Sequence, residues 1–463
     1  MKRERFDPCL ILLSLLILVY ALLFSWISFA KFESFSSYSP QDLAAHSQAI
    51  WNTAHGRFLQ QSILYRGGLN HFYPLLALFA PLYCLTHHIF PLLFLYSLIL
   101  ALGALPVYLL SRNLLDSRPW ALLIGSCYLI YPGLHILNLT DLKPIVLTAP
   151  LLLFTFYFWQ AKSLLGFVAF ALLTSLATEQ VAPLLMMFAP LSWIKRRGLW
   201  WILAPLLIGL GILLFSIHVY VPWASGAPYK HIKDHRILSR MNLFSWASHK
   251  HVFSFLGLAA PLLLLSWEGF ILAIPYLVFG IVATRIYVHY YYPLTAIFFI
   301  SWIYGLRRIQ EWKSLRSAPF SAKGMILVST LALVGLFLFD PLLARPQYAY
   351  RKDASDYHAW SLIRRIPEGA SVTSDPTLLP ALSFRERLHE FSRKEYHGPR
   401  IKDLDVDYVL IDPKGPHRPN PHHHHDYPAK AQRLLEETQK GRSGFEIVAR
   451  EGDWVLFQRK NRP

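Results

Sequence analysis

Long apolar runs recur along the chain and constrain its fold more than any other feature. The first of them, residues 9–30, contains no charged side chain, and similar runs follow one another with short polar breaks between them. A helix needs about 20 predominantly apolar residues to cross the hydrocarbon core of a bilayer. Because these runs are continuous rather than alternating, they predict membrane-spanning helices and not the strands of a β-barrel.

The hydropathy pattern predicts about eleven transmembrane helices. Hydrophobic residues make up 54% of the 463 residues and charged residues only 16%, as expected of a polytopic α-helical membrane protein. The first run is too long for the core of a cleaved signal peptide, so we expect it to be retained. The candidate spans are 9–30, 89–111, 119–137, 144–160, 163–178, 180–194, 199–221, 252–267, 269–284, 290–306 and 323–341.

Basic residues in the loops predict the orientation of these spans. Cytoplasmic loops collect Lys and Arg, and basic segments lie at 2–5, before the first span, and at 195–197, after the sixth. We therefore expect the amino terminus inside the cytoplasmic membrane and the loop 31–88 outside. The loop 222–251 is also basic although this count places it outside. Either the count slips by one before it, or its cations meet an anion.

The last part of the chain has a different composition. Short β-type runs near 370–373, 407–411, 445–449 and 454–457 alternate with helical patterns near 354–366 and 429–440. This alternation predicts a small α/β domain on the outer side. We expect residues 1–343 to form the transmembrane domain, including the outer loop 31–88, and residues 344–463 to form the α/β domain. The latter contains no phosphate-binding glycine loop and no nucleophile elbow, so we assign it no chemistry.

The formal net charge of +17 bears on the binding partners. Much of it follows from the basic cytoplasmic loops and ordinary surface charge. The basic loops are bracketed by spans and carry no nucleic-acid-binding motif, so we expect no nucleic-acid partner. The phosphate of an anionic lipid is the better match for these cations.

Three acids, Asp42, Asp141 and Glu179, lie at the predicted outer ends of the spans. An ionised carboxylate in hydrocarbon costs roughly 2.5–3.5 kcal/mol on insertion scales, so such a residue normally faces a cavity or a partner. Each also has a structural interpretation. Asp42 follows Ser39 and Pro40 and could cap a helix, Asp141 could pair with Lys143 in its own loop, and Glu179 could break a helix at a tight turn.

The segments around these acids resemble a known family. The similar segments are Asp42–Phe58, His71–Pro74, Ala104–Arg112, Asp141–Pro144 and Thr178–Ala182. Together they resemble the bacterial membrane-protein family known as domain of unknown function 2079, over most of the chain. That family in turn resembles the C-type glycosyltransferases, multi-span enzymes that move a sugar from a polyprenyl-phosphate carrier to an acceptor outside the cytoplasm.

The resemblance implies a glycosyltransferase C-like architecture and specific roles for several residues. It makes Asp42 the candidate catalytic base, and His71 and Glu179 candidate pocket residues; Asp141 is a further candidate for substrate binding. The chain departs from the family pattern at Ser47, where a second acid is usual. A single carboxylate suffices as the base when the acceptor attacks directly and the configuration inverts.

Such a transfer also needs cations for the phosphate that leaves with negative charge. The candidates are Arg57, Arg66, Lys143, Arg285 and the cations of the 222–251 loop. Arg285 opens a run of aromatic residues that includes His289, where an Arg could hold phosphate bidentately beside a lipid or sugar path. The same run could instead form an interfacial aromatic belt with a snorkelling Arg.

Two functions from different classes follow from these observations. The first is an integral-membrane glycosyltransferase that uses a polyprenyl-phosphate-linked sugar; the second is a non-catalytic membrane protein that binds or moves a lipid-linked substrate. Secondary transport fits less well, because only one broken helix pair, around Glu179, is evident. The residues specify neither a cofactor nor an oligomeric state, although a divalent metal would be compatible with the reaction.

Overall fold

The computed structural model describes residues 7–64, 69, 71–226, 228–229, 265–282, 292–311, 324, 350–391, 405–415 and 427–460, with the backbone alone for 279–282. The described chain is mostly helical and ends in a small sheet. The helical architecture and the C-terminal sheet expected from the sequence are thereby confirmed.

The chain begins with α1 (Pro8–Glu33), whose first turn is capped by Asp7. The carboxylate of Asp7 accepts a hydrogen bond from the amide of Leu10, and Pro8 occupies the first helical position, where its missing N–H costs nothing. The helices that follow are α2 (Pro40–Ala54), α3 (Ala80–Leu85), α4 (Phe90–Leu102), α5 (Ala104–Leu115), α6 (Arg118–Leu129), α7 (Pro132–Leu139), α8 (Thr148–Gln160) and α9 (Leu164–Ala177). Short 3₁₀ turns precede α3 at Pro74–Phe79 and α8 at Pro144–Leu147.

A break after α9 places Glu179 outside the regular helices. Thr178 is fully extended, with φ −175° and ψ 145°, and a 3₁₀ turn, Glu179–Val181, leads into the next helix. The other helices that the structure describes before the sheet are α10 (Ala182–Met186), α11 (Phe188–Ile194), α12 (Leu199–Phe215), α13 (Val221–Ser225), α14 (Trp267–Val282) and α15 (Leu294–Glu311). A π-helical turn, Ser216–Tyr220, joins α12 to α13.

Three helical stretches among the described residues are long and apolar enough to cross a membrane. They are Pro8–Glu33, Phe90–Leu115 and Leu199–Ser225. The pair α6 and α7, bent by 40°, makes a fourth if it counts as one span. Shorter apolar helices coincide with several of the other predicted runs, and the spans at 252–267 and 323–341 lie almost entirely outside the described residues. The count of eleven therefore stays a prediction.

The C-terminal part forms a five-stranded sheet, with one helix before the first strand and another between the third and fourth strands. Its elements are α16 (Ala354–Ile363), β1 (Val372–Ser374), a 3₁₀ turn (Pro376–Leu382), β2 (Leu388–Glu390), β3 (Tyr408–Ile411), α17 (Tyr427–Gln439), β4 (Phe445–Glu451) and β5 (Trp454–Arg459). The strand order is β2-β1-β3-β5-β4. β1 pairs in parallel with β2 and β3, whereas β5 pairs antiparallel with β3 and β4.

The outer loop and the sheet share one hydrophobic core. Ala44 and Ala45 on α2, and Ile63 after it, are fully buried among residues of the C-terminal part such as Leu379 and Trp454. This contact explains why a helix as polar as α2 is almost wholly buried, since one of its faces meets the C-terminal part while another meets the transmembrane helices. The C-terminal part therefore contributes to the position of α2, mainly through the turn Pro376–Leu382.

Candidate functional site

The acid at the start of α2 forms an ion pair with a lysine from another loop. Lys143 Nζ lies 3.0 Å from Asp42 Oδ2; the lysine side chain is 11% exposed and the aspartate side chain 35%. The N-cap of α2 is Ser39, so Asp42 lies inside the first turn and does not occupy the cap position. Lys143 directly precedes the 3₁₀ turn that leads into α8. A carboxylate and an ammonium group thus stand side by side where solvent can reach the carboxylate.

Asp141, two residues before Lys143, is enclosed by other partners. Its Oδ1 lies 3.1 Å from Lys31 Nζ, and its Oδ2 accepts a 2.7 Å hydrogen bond from the amide of Ser39. Lys31 also donates to the carbonyl oxygen of Leu139, and both charged side chains are buried. Asp141 therefore ties the end of α1 to the start of α2. Its predicted role as a substrate contact stays a prediction.

Glu179 is buried in a cage of donors. His71 Nδ1 lies 2.7 Å from its Oε1, the hydroxyl of Tyr229 donates to the same oxygen at 2.7 Å, and the amide of Phe72 donates to Oε2 at 2.9 Å. Only 1% of Glu179 is exposed. A buried carboxylate with this many donors holds the segment around His71 against the break after α9.

His46 lies between the Asp42–Lys143 pair and the Glu179 cage, one helical turn after Asp42. Its Nδ1 donates to the carbonyl oxygen of Leu142 at 2.7 Å, because a carbonyl can only accept. Its ring meets the ring of Tyr73 edge-on at 5.5 Å, and Tyr73 in turn lies 5.5 Å from the ring of His71. The rings of His46, Tyr73 and His71 thus form a series of contacts from the helix that carries Asp42 to the Glu179 cage.

Burial lowers the pKa of His46, which lies in the outer loop and not in a spanning helix. The negative charge of Asp42 and the hydrogen bond to Leu142 oppose this effect, while the charges of Lys143 and His71 reinforce it. The lowered pKa favours the neutral imidazole at neutral pH, with its proton on Nδ1. The Nε2 atom is then a hydrogen-bond acceptor.

The other predicted phosphate ligands are placed elsewhere or lie outside the described residues. Arg57 follows the opposite end of α2, where it contacts Asn52 Oδ1 at 2.8 Å, stacks over the ring of Trp51 and lies 3.7 Å from Glu386. It is therefore not beside Asp42. Arg66, Arg285, His289 and nearly all of the 222–251 loop lie outside the described residues.

Ser47, at the position of the family's usual second acid, is held by hydrogen bonds inside the protein. Its hydroxyl lies 3.0 Å from the hydroxyl of Tyr83 and accepts from Ser383 Oγ at 3.0 Å. The side chain is fully buried between α2, α3 and the turn that precedes β2. Within the described part of the chain, no three His, Cys, Asp or Glu side chains group together as metal ligands.

Sequence reasoning did not identify Lys31, His46 or Tyr73 as parts of this site. Two of them had a local signal. His46 lies four residues after Asp42, the spacing that puts both side chains on one face of a helix, and Tyr73 belongs to the same His-Phe-Tyr-Pro segment as His71. The local signal for Lys31 was weaker. A lysine at the end of an apolar span usually extends towards water, and not towards a buried aspartate.

The helical part and the C-terminal sheet both match a known protein family. A family model described as a predicted membrane protein, DUF2079, matches residues 35–456. The chain belongs to this family. The match begins after α1, covers the Asp42, Asp141 and Glu179 segments and ends within β5, so it includes both the helical part and the C-terminal sheet of this DUF2079 protein. The resemblance found in the sequence is confirmed. No curated protein matches the chain.

Solved structures with the same fold are crystal structures of ArnT from Cupriavidus metallidurans. The form bound to undecaprenyl phosphate is 12% identical, with a TM-score of 0.57 over 96% of this chain and 97% of ArnT. The apo form is also 12% identical, with a TM-score of 0.53 over 94% of this chain and 97% of ArnT. At this identity the similarity establishes the fold, which extends over nearly the full length of both proteins.

Proposed function

We propose that this DUF2079 protein transfers a sugar from a polyprenyl-phosphate donor to an acceptor outside the cytoplasm, with Asp42 as the catalytic base. Two observations support a lipid-phosphate donor. The chain has the fold of a protein that was crystallised with undecaprenyl phosphate, and its segments resemble those of the C-type glycosyltransferases. The proposal places the protein in the cytoplasmic membrane, with the amino terminus inside and residues 344–463 outside as an α/β domain.

The exposure of Asp42 is the observation that carries the proposal. Of the three acids singled out in the sequence, Asp141 is enclosed by Lys31 and Ser39, and Glu179 by His71 and its other donors. The side chain of Asp42 is 35% exposed and has a cation beside it. A general base must reach the proton that it removes, and among these three Asp42 alone meets that condition.

The pair of Asp42 and Lys143 supplies the two groups that an inverting transfer needs. The acceptor oxygen attacks the anomeric carbon and Asp42 removes its proton, while the bond from that carbon to the phosphate oxygen breaks and polyprenyl phosphate leaves with the bonding electrons. In this proposal the ammonium group of Lys143 leaves Asp42 and pairs with the phosphate, where it stabilises the negative charge that develops. His71, Asp141 and Glu179 hold the pocket in shape, and Arg57, Arg285 and His289 remain proposed substrate contacts.

The test compares cells that lack the protein with cells that carry it or a variant. We expect the deletion strain to accumulate a polyprenyl-phosphate-linked sugar and to lose that sugar from an envelope acceptor, as measured by profiling of lipids and glycans. The Asp42→Asn protein, present at wild-type abundance, should restore neither. The matched control is Asp116→Asn, an exposed aspartate in a left-handed conformation with φ 50°, which asparagine adopts readily; it should restore both.

A wild-type profile in the Asp42→Asn strain would remove Asp42 from the role of base. An unchanged profile in the deletion strain, with the gene known to be expressed in the parent, would argue against sugar transfer itself. The two results are distinguishable because the first leaves the difference between deletion and wild type intact.

A non-catalytic protein that binds or moves a lipid-linked substrate is the second candidate. It is favoured by Ser47, which occupies the position of a second acid and is hydrogen-bonded to Tyr83 and Ser383. On this alternative the Asp42→Asn protein would still bind the lipid, and the deletion would change the distribution of lipid-linked sugar between membrane leaflets without loss of a transfer product.

A further inference from the structure

A polar cavity lies at the far end of the helices from Asp42. It has a volume of about 460 Å³, and four of its lining residues are cations: Lys162, Lys195, Arg196 and Arg197. Gln160 and Trp201 contribute an amide and an aromatic wall. Lys143 precedes the helical segment that ends at Gln160, and 17 residues of helix are roughly 25 Å long. The cavity is therefore a separate site from the Asp42 and Lys143 pair.

The guanidinium group of Arg197 is held in a fixed position in this cavity. Its central carbon lies 4.1 Å from the ring centroid of Trp159 and 4.8 Å from that of Trp201. Nη1 also donates to the carbonyl oxygen of Trp159. Stacking between two indole rings restricts the rotation of this planar group. Arg197 is thus an ordered donor, and an anion that binds to it loses little free energy in ordering the side chain.

A buried carboxylate beside the cavity orients Lys195 without cancelling the positive charge. Glu268 is 1% exposed, and its Oε1 lies 3.3 Å from Lys195 Nζ. Its other oxygen, Oε2, contacts Arg308 Nη2 at 2.6 Å. Two cations therefore share this one acid.

The remaining cations of the cavity are not neutralised by acids in the described part of the chain. There, no carboxylate lies within 4.0 Å of Lys162, Arg196 or Arg197, although such contacts with other cations are common in this protein. The cavity consequently carries a net positive charge that an anion would compensate.

The surroundings of the cavity are typical of the membrane–water interface. Trp193 and Trp200, on either side of the basic turn, are 71% and 64% exposed. The span Leu199–Ser225 begins directly after Gly198. Exposed tryptophans at the end of a spanning helix mark the headgroup level of the bilayer, so the cations of the cavity lie where lipid phosphates are found.

We propose that this cavity binds the phosphate of an anionic phospholipid. The planar fork of Arg197 can donate two parallel hydrogen bonds to phosphate oxygens, and Lys195 and Arg196 supply further charge. Basic pockets between spanning helices on the cytoplasmic side bind anionic headgroups in the same way. The phosphate chemistry alone would also admit a soluble phosphate; the interfacial tryptophans favour the lipid.

The test is a lipid titration of the full-length protein in detergent, read by native mass spectrometry. Lys162 and Arg196 are exposed and both have left-handed backbone angles, φ 57° and 51°, which asparagine tolerates. The variant Lys162→Asn/Arg196→Asn removes two charges and leaves the stacked Arg197 in place. The control, Arg433→Gln/Lys440→Gln, removes two charges from side chains that are 64% and 62% exposed on the C-terminal part.

We expect the wild type and the control to bind phosphatidylglycerol in preference to phosphatidylcholine. Each cation near an anionic headgroup contributes a factor of about five to affinity, so Lys162→Asn/Arg196→Asn should bind phosphatidylglycerol roughly thirtyfold more weakly. Equal affinity in this variant and the wild type would overturn the proposal. Displacement of the lipid by an equal concentration of inorganic phosphate would show that the ligand is a soluble phosphate, and would overturn the lipid assignment.

Discussion

Lys143 Nζ contacts Asp42 Oδ2 at 3.0 Å, while Asp141, two residues earlier in the same loop, contacts Lys31 at 3.1 Å. The loop between α7 and α8 thus contacts both the end of α1 and the first turn of α2. Asp141 fixes the backbone of α2 through the amide of Ser39, and Lys143 holds the side chain of Asp42. One contact sets the position of the helix and the other the environment of the candidate base.

Substitution of the two members of the Asp42 pair should have different effects on the binding of a polyprenyl phosphate. Lys143→Ala removes the cation that we propose for the phosphate, and one charge-assisted hydrogen bond is worth about a factor of ten to a hundred in affinity. Asp42→Asn removes the carboxylate that competes for this lysine, so affinity should stay the same or increase. Titration of the purified protein with a polyprenyl phosphate, followed by native mass spectrometry, measures both. A loss of affinity in Asp42→Asn equal to that in Lys143→Ala would contradict the exchange of partners.

The buried pair of Lys31 and Asp141 should contribute to folding in a way that the exposed pair does not. Lys31→Met leaves a buried carboxylate with no ammonium partner, which typically costs about 3–5 kcal/mol. Lys31→Met/Asp141→Asn should recover part of this loss, because asparagine can still accept from Ser39 and tolerates φ 68° at position 141. Thermal unfolding in detergent measures each variant.

Two results bear on this prediction about Lys31. The partly exposed pair of Lys143 and Asp42 should contribute at most about 1 kcal/mol, so Lys143→Ala is the internal comparison. If Lys31→Met unfolds at the wild-type temperature, then the two side chains are not paired in the way described.

The sequence predicted the local elements of the fold well and their long-range partners poorly. Runs near 407–411 and 454–457 correspond to β3 (Tyr408–Ile411) and β5 (Trp454–Arg459), because alternation and β-branched residues act within a strand. β2 is only three residues long and gave no such signal. It forms beside β1, where Ser62 of the outer loop donates to the carbonyl oxygen of Leu388 at 2.8 Å.

In the candidate site, too, the sequence predicted individual residues better than their long-range partners. Asp42 and Glu179 could be selected because an ionised carboxylate beside an apolar run normally faces a cavity or a partner, and Lys143 because it is a cation in the loop that holds Asp141. Their partners could not be assigned: the sequence suggested that Asp141 pairs with Lys143 in its own loop, but Asp141 pairs with Lys31, which precedes it by 110 residues, and Lys143 pairs with Asp42. Pairing of side chains so far apart is decided by helix packing, which no local pattern contains.

Gln48 should control how firmly the edge of the sheet is attached to the outer loop. Its amide nitrogen donates to the carbonyl oxygens of Arg385 and Glu386 at 3.0 Å each, and its carbonyl oxygen accepts from the amide of Ser62 at 2.8 Å. Gln48→Ala removes the partner of one buried group, the Arg385 carbonyl, and of two partly buried groups; a buried group left unsatisfied costs about 1–3 kcal/mol. Hydrogen exchange measured by mass spectrometry should become faster at 385–390 and stay unchanged in β4 and β5. Uniform acceleration across the sheet would indicate general destabilisation instead.

The protonation of His46 should make folding pH-dependent through the helix that carries Asp42. Burial lowers the pKa of His46 below its usual value of 6.5, so between pH 6.5 and the lowered value the unfolded chain binds more protons than the folded one. The contribution to stability is therefore complete above about pH 6.5 and is lost as the pH falls through the folded pKa.

The variant that tests this dependence is His46→Asn, whose side-chain amide can replace Nδ1 as the donor to Leu142 but cannot titrate. Between about pH 7.5 and 5, which spans the usual range of histidine titration, the unfolding temperature of the wild type should fall more steeply than that of the variant. Because all other titratable groups are common to both proteins, the difference between the two curves reports His46 alone. Parallel curves would mean that this imidazole titrates equally in the folded and unfolded chains, and a steeper fall in the variant would reverse the sign that burial beside Tyr73 and Leu142 requires.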